Sequence, residues 1–266
     1  MATNAGRTAL VTGASSGIGE ALARCFAGGG FDLVLVARSA AKLQALAAEL
    51  QAAHSVAVRV LPADLAAPGA AAALHAALRR RRVAVDVLVN NAGVLEHGAF
   101  TDIAASRHQQ LIDLNIGALT AMLAQFVPDM RERGWGRVLN VASLAAFQPV
   151  PTLATYAATK AYVLSLSEAL AVELGGSGVS VTALCPGFTD TPMIGAGPPG
   201  SGKLPQLPAV LVGHAADVAA AGYRACLRGE VVCVPGAINR AGSLASRVLP
   251  RRLVRGMGRA LAKTQR

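Results

Sequence analysis

The sequence predicts a doubly wound α/β domain, a parallel sheet of about seven strands with helices on both faces. Three observations carry that prediction. Short β-branched or apolar runs alternate with longer Ala- and Leu-rich stretches, the pattern of repeated strand–helix units. The length of 266 residues suits one large domain better than two. Apolar residues make up 53% of the chain and charged ones 15%, which requires a large buried core and argues against extended disorder.

The elements follow in order. The first strand begins near Thr8, in TALVT, and a glycine-rich turn leads to a helix beginning near Gly17. Further strands begin near Asp32, Val56, Val85, Arg137, Val179 and Val231. The intervening helices begin near Ala40, Ala70, Ser106, Ala154 and Ala215, each stretch being too long for a typical strand. The Ala-rich stretch from Ala66 to Ala77 leads into Arg79, Arg80, Arg81 and Arg82, a charge run that suits the solvated last turn of a helix. From Gly195 to Pro208 the chain is rich in Gly and Pro, and Pro198, Pro199, Pro205 and Pro208 oppose regular structure. This segment is expected to be a loop covering a pocket.

The formal charge of +10 is unevenly placed. Residues 240–266 hold seven Arg, one Lys and no acidic residue, so eight of the ten net charges sit there. The expected division is a catalytic domain over 1–239 and a basic tail over 240–266. Any polyanion argument concerns the tail alone, and no nucleic-acid partner is expected for the body. Cys25, Cys185, Cys226 and Cys233 form no C-x-x-C pair, which fits reduced thiols in a cytoplasmic protein. The phosphate-turn pattern is reached by Thr12, too soon for a secretory leader. No uninterrupted apolar run reaches the ~18 residues needed to span a bilayer.

The stretch TALVTGASSGIG, Thr8 to Gly19, reads as strand, turn and helix. Gly13 permits the tight turn, Gly17 lets backbone amides approach a pyrophosphate, and Gly19 lets the helix pack closely. The helix N-terminus offers free N–H groups and partial positive charge to phosphates. After the second strand stands Arg38, where an acidic residue would accept from an adenosine ribose. A guanidinium there pairs with a 2′-phosphate and argues for NADP(H) over NAD(H); the bland alternative is a solvated arginine at a strand end. Asp64 suits the adenine amino group, or equally a helix cap. Asn91, Ala92 and Gly93, in NNAG, close the fourth strand at the ligand-binding edge of such a sheet.

Tyr156 and Lys160 lie four residues apart, one face of a helix, with Cβ atoms about 5–6 Å apart. A phenol with a reference pKa of about 10 is a poor proton donor or acceptor near neutrality until a cation favours its phenolate. Lys160 is the expected cation, which makes Tyr156 a candidate general acid/base. Ser143, at the end of the strand RVLNVAS, can donate to an oxygen gaining negative charge. A lone Y-x-x-x-K is common on helix surfaces. Its combination with a strand-end serine thirteen residues earlier and the glycine turn is what carries weight.

Together TGASSGIG, NNAG, Asn115, Ser143, YAATK and PGFTDT make the chain resemble the short-chain dehydrogenase/reductase family from about Thr8 to Val234. The resemblance implies a Rossmann fold and an NADP(H)-dependent oxidoreductase acting on a small carbonyl or alcohol. It implies that Tyr156 is the acid/base, that Lys160 lowers its pKa and holds the nicotinamide ribose, and that Ser143 polarises the carbonyl. Asn115 resembles the residue holding a relay water, and Thr191 the one binding the nicotinamide carboxamide. The implied cofactor set adds Ser15, Ser16, Ile18, Leu65, Pro186, Gly187 and Thr189. A homodimer or homotetramer is also implied.

Leu95, Phe147, Leu153, Phe188 and Met193 form the expected pocket wall, suited to an apolar ketone, 3-oxoacyl chain, steroid or polyketide. GPPGSGK at Gly197–Lys203 is an accidental phosphate-loop match, because Leu204 replaces the magnesium-binding Ser or Thr and no strand precedes it. The five histidines show no metal-ligand spacing, and no metal is expected. In the tail, Leu249, Leu253, Met257 and Leu261 recur every four residues among arginines. Such a stripe can lie peripherally on an anionic membrane, or pack on the body or a second subunit. The alternative to an enzyme is a non-catalytic NADPH-binding redox sensor or interaction protein, which would have no need for Asn115, Ser143, Tyr156 and Lys160 together.

Overall fold

A computed structural model describes residues 4–195 and 212–248. Strand β1 (Thr8–Thr12) leads to α1 (Gly17–Gly28), β2 (Asp32–Val36), α2 (Ala40–Ala53), β3 (Val58–Val60), α3 (Ala70–Arg80) and β4 (Val87–Asn90). Helices α4 (Ala105–Ile112) and α5 (Leu119–Glu132) are joined by a π-helical turn at Asp113–Ala118. Then come β5 (Gly136–Val141), a 3-10 turn (Leu144–Phe147), α6 (Ala154–Glu173) and β6 (Val179–Leu184). A short pair, β7 (Thr189–Asp190) and β8 (Gly213–His214), flanks α7 (Pro192–Gly195), and α8 (Ala215–Arg228), β9 (Val232–Cys233) and α9 (Ala237–Val248) follow. The seven expected strand starts and six helix starts each fall within two residues of an observed one.

Seven parallel strands form one sheet in the order β3-β2-β1-β4-β5-β6-β9. Strands of a parallel sheet are covered on both faces, which is why TALVT, DLVLV and VLVN are mostly apolar. Ala9, Val11, Leu33 and Leu35 pack with Leu22 and Phe26 of α1, Leu43 of α2 and Val218 of α8. Leu10, Val34 and Leu88 pack on the other face with Leu78 of α3, Met122 and Phe126 of α5 and Val163 of α6. Each fully buried Leu or Phe contributes about 1.5–3 kcal/mol. Residues 105–132 are long and apolar enough, by composition alone, to cross a bilayer; here Leu119, Met122, Leu123, Phe126 and Met130 are core residues.

The connections diverge between β1 and β4, so the carboxyl ends of these central strands open a crevice, the usual ligand position in a doubly wound sheet. Helix α9 straddles residues 239 and 240. The expected lid beyond residue 195 and the apolar stripe from Leu249 onward lie outside the described residues.

Candidate active site

The crevice is a cleft of about 1170 Å³, above the about 300–1,000 Å³ typical of small-ligand pockets. At one end lie Gly13, Ser15, Ser16, Gly17 and Ile18, with Arg38, Asp64 and Leu65 beyond them. Asn91, Ala92 and Gly93 line the middle, and Ser143, Tyr156, Lys160, Pro186, Gly187, Thr189 and Thr191 the other end. The topology thus brings residues from six strand ends and α6 to one cavity.

The glycine turn is built from the inside. Gly13 has φ +65 and Gly17 φ +59, left-handed values that a side chain would strain. The Asn91 Nδ2 donates to the carbonyls of Thr12 (3.0 Å) and Gly13 (3.3 Å). A Cβ on Gly19 would collide with Asn91 Nδ2 and the Gly13 carbonyl. Gly19 is not among the residues lining the cleft, and its lack of a side chain allows α1 to pack closely under the turn. Ser16, at the start of α1, makes no capping bond with its side chain, so first-turn N–H groups remain available to an anion.

Thr12 is a hub that sequence reading missed. It is 1% exposed, accepts from the N–H groups of Asn91 (2.9 Å) and Ala92 (3.0 Å), and donates to the Val89 carbonyl (3.0 Å). Its signal was a hydroxyl at the end of the strand, directly before the glycine turn. Arg38 is exposed at the rim of the cleft. Asp64 accepts from the Ala66 N–H at 3.1 Å, forming a local turn well before α3 begins.

Asn115 is 1% exposed and stands behind the wall rather than in the cleft. Its Nδ2 donates to the Val94 carbonyl (2.9 Å) and Thr159 Oγ1 (3.1 Å), and its Oδ1 accepts from the Val94 N–H (2.9 Å). Those bonds tie the strand-end segment after β4 to α6. The π turn holds Asn115 at this junction, a placement common near functional sites. A second buried chain anchors α6 from below: Asn90 Nδ2 donates to Asn140 Oδ1, and Asn140 Nδ2 to Ser167 Oγ, both at 2.9 Å.

Tyr156 and Lys160 both open onto the cleft beside Ser143. The Lys160 Nζ is buried, donates to the Val141 carbonyl at 2.8 Å, and lies 5.7 Å from the centre of the Tyr156 ring. Burial lowers the Lys160 ammonium to about 8. The Tyr156 phenol is pushed above its ordinary value by burial, and a hydrogen bond with Ser143 counters the rise. Burial thus acts on both groups, in opposite directions. Desolvation governs the phenol, Ser143 is the group that favours its phenolate, and Lys160 is itself partly discharged by the same dry environment.

The apolar wall includes Leu95, Leu153, Phe188 and Met193 as expected, and also Leu144, Pro149 and Val150. Phe147 is a correction: it packs against the core instead, because the 3-10 turn presents Leu144 to the cleft and carries Phe147 away from it. Before α6, Thr152 holds φ +66 while its carbonyl accepts from Gly98 N–H and its hydroxyl meets His97 at 3.0 Å. This strained residue locks the entry of the helix that carries Tyr156.

Comparison with known proteins gives concordant matches. The family model described as short chain dehydrogenase matches residues 7–199. D-beta-hydroxybutyrate dehydrogenase of Rhizobium meliloti (strain 1021) is 33% identical over 189 residues, 71% of this chain and 73% of its own. A solved short-chain dehydrogenase from Sphingobium yanoikuyae, in complex with NADPH, is 38% identical with a TM-score of 0.81, covering 91% of this chain and 93% of that one. The bulky-bulky ketone specific alcohol dehydrogenase from Comamonas testosteroni is 32% identical with a TM-score of 0.75, covering 92% and 95%.

Proposed function

The chain belongs to the short-chain dehydrogenase/reductase family, and from that premise we propose an NADP(H)-dependent oxidoreductase that interconverts a carbonyl and an alcohol on an apolar small molecule. One observation carries the reading: Ser143, Tyr156 and Lys160 share a continuous cleft with the glycine turn and Arg38. The Sphingobium relative's complex with NADPH and the Comamonas relative's ketone specificity support it.

The residues present fit the dinucleotide. The uncapped start of α1 and the glycine turn suit a pyrophosphate, and Arg38 suits the 2′-phosphate. Asp64 and Leu65 would border the adenine, Asn91 to Gly93 the middle of the molecule, and Lys160, Pro186, Gly187, Thr189 and Thr191 the nicotinamide half. When bound, NADPH supplies the hydride that reduces the carbonyl carbon. Tyr156 gives its phenolic proton to the carbonyl oxygen, and Ser143 donates to that oxygen as its charge grows. Lys160, fixed by the Val141 carbonyl, faces the phenolate that remains. Asn115 acts by holding the segment after β4 and α6 in register.

The wall of Leu95, Leu144, Val150, Leu153, Phe188 and Met193 favours a ketone, 3-oxoacyl chain, steroid or polyketide over a polar substrate. The body over 1–239 is the proposed catalytic domain. A homodimer or homotetramer is the proposed assembly, supported by exposed Ile112 on α4 and Tyr162 and Val172 on α6. The deciding experiment is NADPH oxidation against ketones, aldehydes, 3-oxoacyl thioesters and ketosteroids. Turnover of one class is expected; tight NADPH binding with no turnover across the panel would favour a sensor.

A further inference from the structure

Helix α9 is inside out. Asn239, Ser243 and Ser246, spaced four and three residues apart, are its less exposed positions, and Asn239 lies against Gly187 at the cleft. The helix packs on the 3-10 turn Leu144–Phe147, another border of the cleft. Apolar residues of its described part face solvent: Ile238 is 63% and Leu244 65% exposed, and Ala241 and Ala245 are exposed as well. At 100° per residue these four fall on one face, away from the arc of Asn239, Ser243 and Ser246. Arg240, also exposed, flanks that face. Phe188 and Met193, on the cleft wall, are 39% and 42% exposed. Apolar surface is thus shown both at the cleft and on the helix beside it.

From Arg240 onward the sequence adds eight cationic side chains and no acidic one. A second copy of this segment would bring like charge against like, so charge complementarity disfavours self-association through this face. A nucleic acid would match the charge and leave the apolar face uncovered. An anionic bilayer satisfies both, since its interface accepts apolar side chains and its headgroups attract arginines. We infer that the outward face of α9 docks on an anionic lipid bilayer, to which the net positive charge of the sequence from Arg240 onward is complementary, and sets the mouth of the cleft at that surface. This docking stands apart from the catalytic reading, and its readout needs no substrate. It also gives an apolar carbonyl compound dissolved in lipid a short path to Phe188 and Met193.

The test is co-sedimentation of the full chain with sucrose-loaded vesicles, of phosphatidylcholine alone or with about 30% phosphatidylglycerol. Binding to the anionic vesicles is expected to be at least roughly tenfold tighter and to weaken as salt is raised. The Ile238→Asp/Leu244→Asp double variant should lose at least about tenfold in that binding while keeping wild-type NADPH affinity, since both side chains are on the surface. Equal binding to both vesicle types, or to neither, overturns the inference. So does unchanged binding by the double variant, which would mean that the apolar face of α9 takes no part. A dimer in sedimentation equilibrium that the double variant converts to monomer would show instead that a second copy occupies the face.

Discussion

Lys160 holds its ammonium 5.7 Å from the centre of the Tyr156 ring while donating to the Val141 carbonyl at 2.8 Å. One carbonyl compensates a buried ammonium only in part, and desolvation takes Lys160 down to about 8 from 10.5. Between those values the unfolded chain carries the proton and the folded chain does not. The unfolded state therefore binds more protons, and folding stability rises with pH across that window. Relative to Lys160→Met, the wild type is expected to gain on the order of 3 kcal/mol from about pH 8 to about pH 10.5. Urea unfolding of both proteins at the two ends measures this. A constant difference between them would show that Lys160 titrates normally.

Tyr156→Phe keeps the ring that fills the site and removes only the hydroxyl. The variant should bind NADPH as the wild type does and lose turnover by about 10² or more, the usual contribution of a positioned acid. Fluorescence titration and steady-state rates separate the two effects. Near-normal turnover would assign the proton to another group.

Arg38 is exposed and sits on the cleft rim. A guanidinium there matters only for the cofactor bearing a 2′-phosphate, through charge-assisted pairing of about 1.5–3 kcal/mol. Arg38→Asp replaces attraction by repulsion, so the ratio of kcat/KM for NADPH to that for NADH should fall by roughly 10². An unchanged ratio would return Arg38 to the status of a solvated strand-end residue.

Much of this arrangement was legible in the sequence because its signals are local. Buried parallel strands read as apolar runs, as in Thr8–Thr12 and Asp32–Val36, and the turn glycines at 13 and 17 mark left-handed backbone. What stayed hidden depends on contacts distant in the chain. Asn115 meets Thr159 across 44 residues and Val94 across 21, and no periodicity encodes such a meeting. Phe147 was assigned to the wall by its type, whereas the direction of a 3-10 turn decides where it points. Tyr156 and Lys160 were correctly paired by helical spacing, but their protonation depends on burial, which spacing does not report.

Thr12 offers the sharpest test of the turn's internal scaffolding. Its buried hydroxyl serves two partly buried N–H donors, of Asn91 and Ala92, and itself donates to Val89. Valine has nearly the same shape and suits a strand, so Thr12→Val isolates the lost hydrogen bonds from any packing change. Two donors left without an acceptor should together cost about 2–4 kcal/mol. The urea midpoint is expected to drop with an unchanged slope, and NADPH affinity to fall with it, because Asn91 also holds the carbonyl of Gly13. Thr12→Ser, which keeps the acceptor, should recover most of both losses. If serine and valine behave alike, the hydroxyl is not what holds the turn.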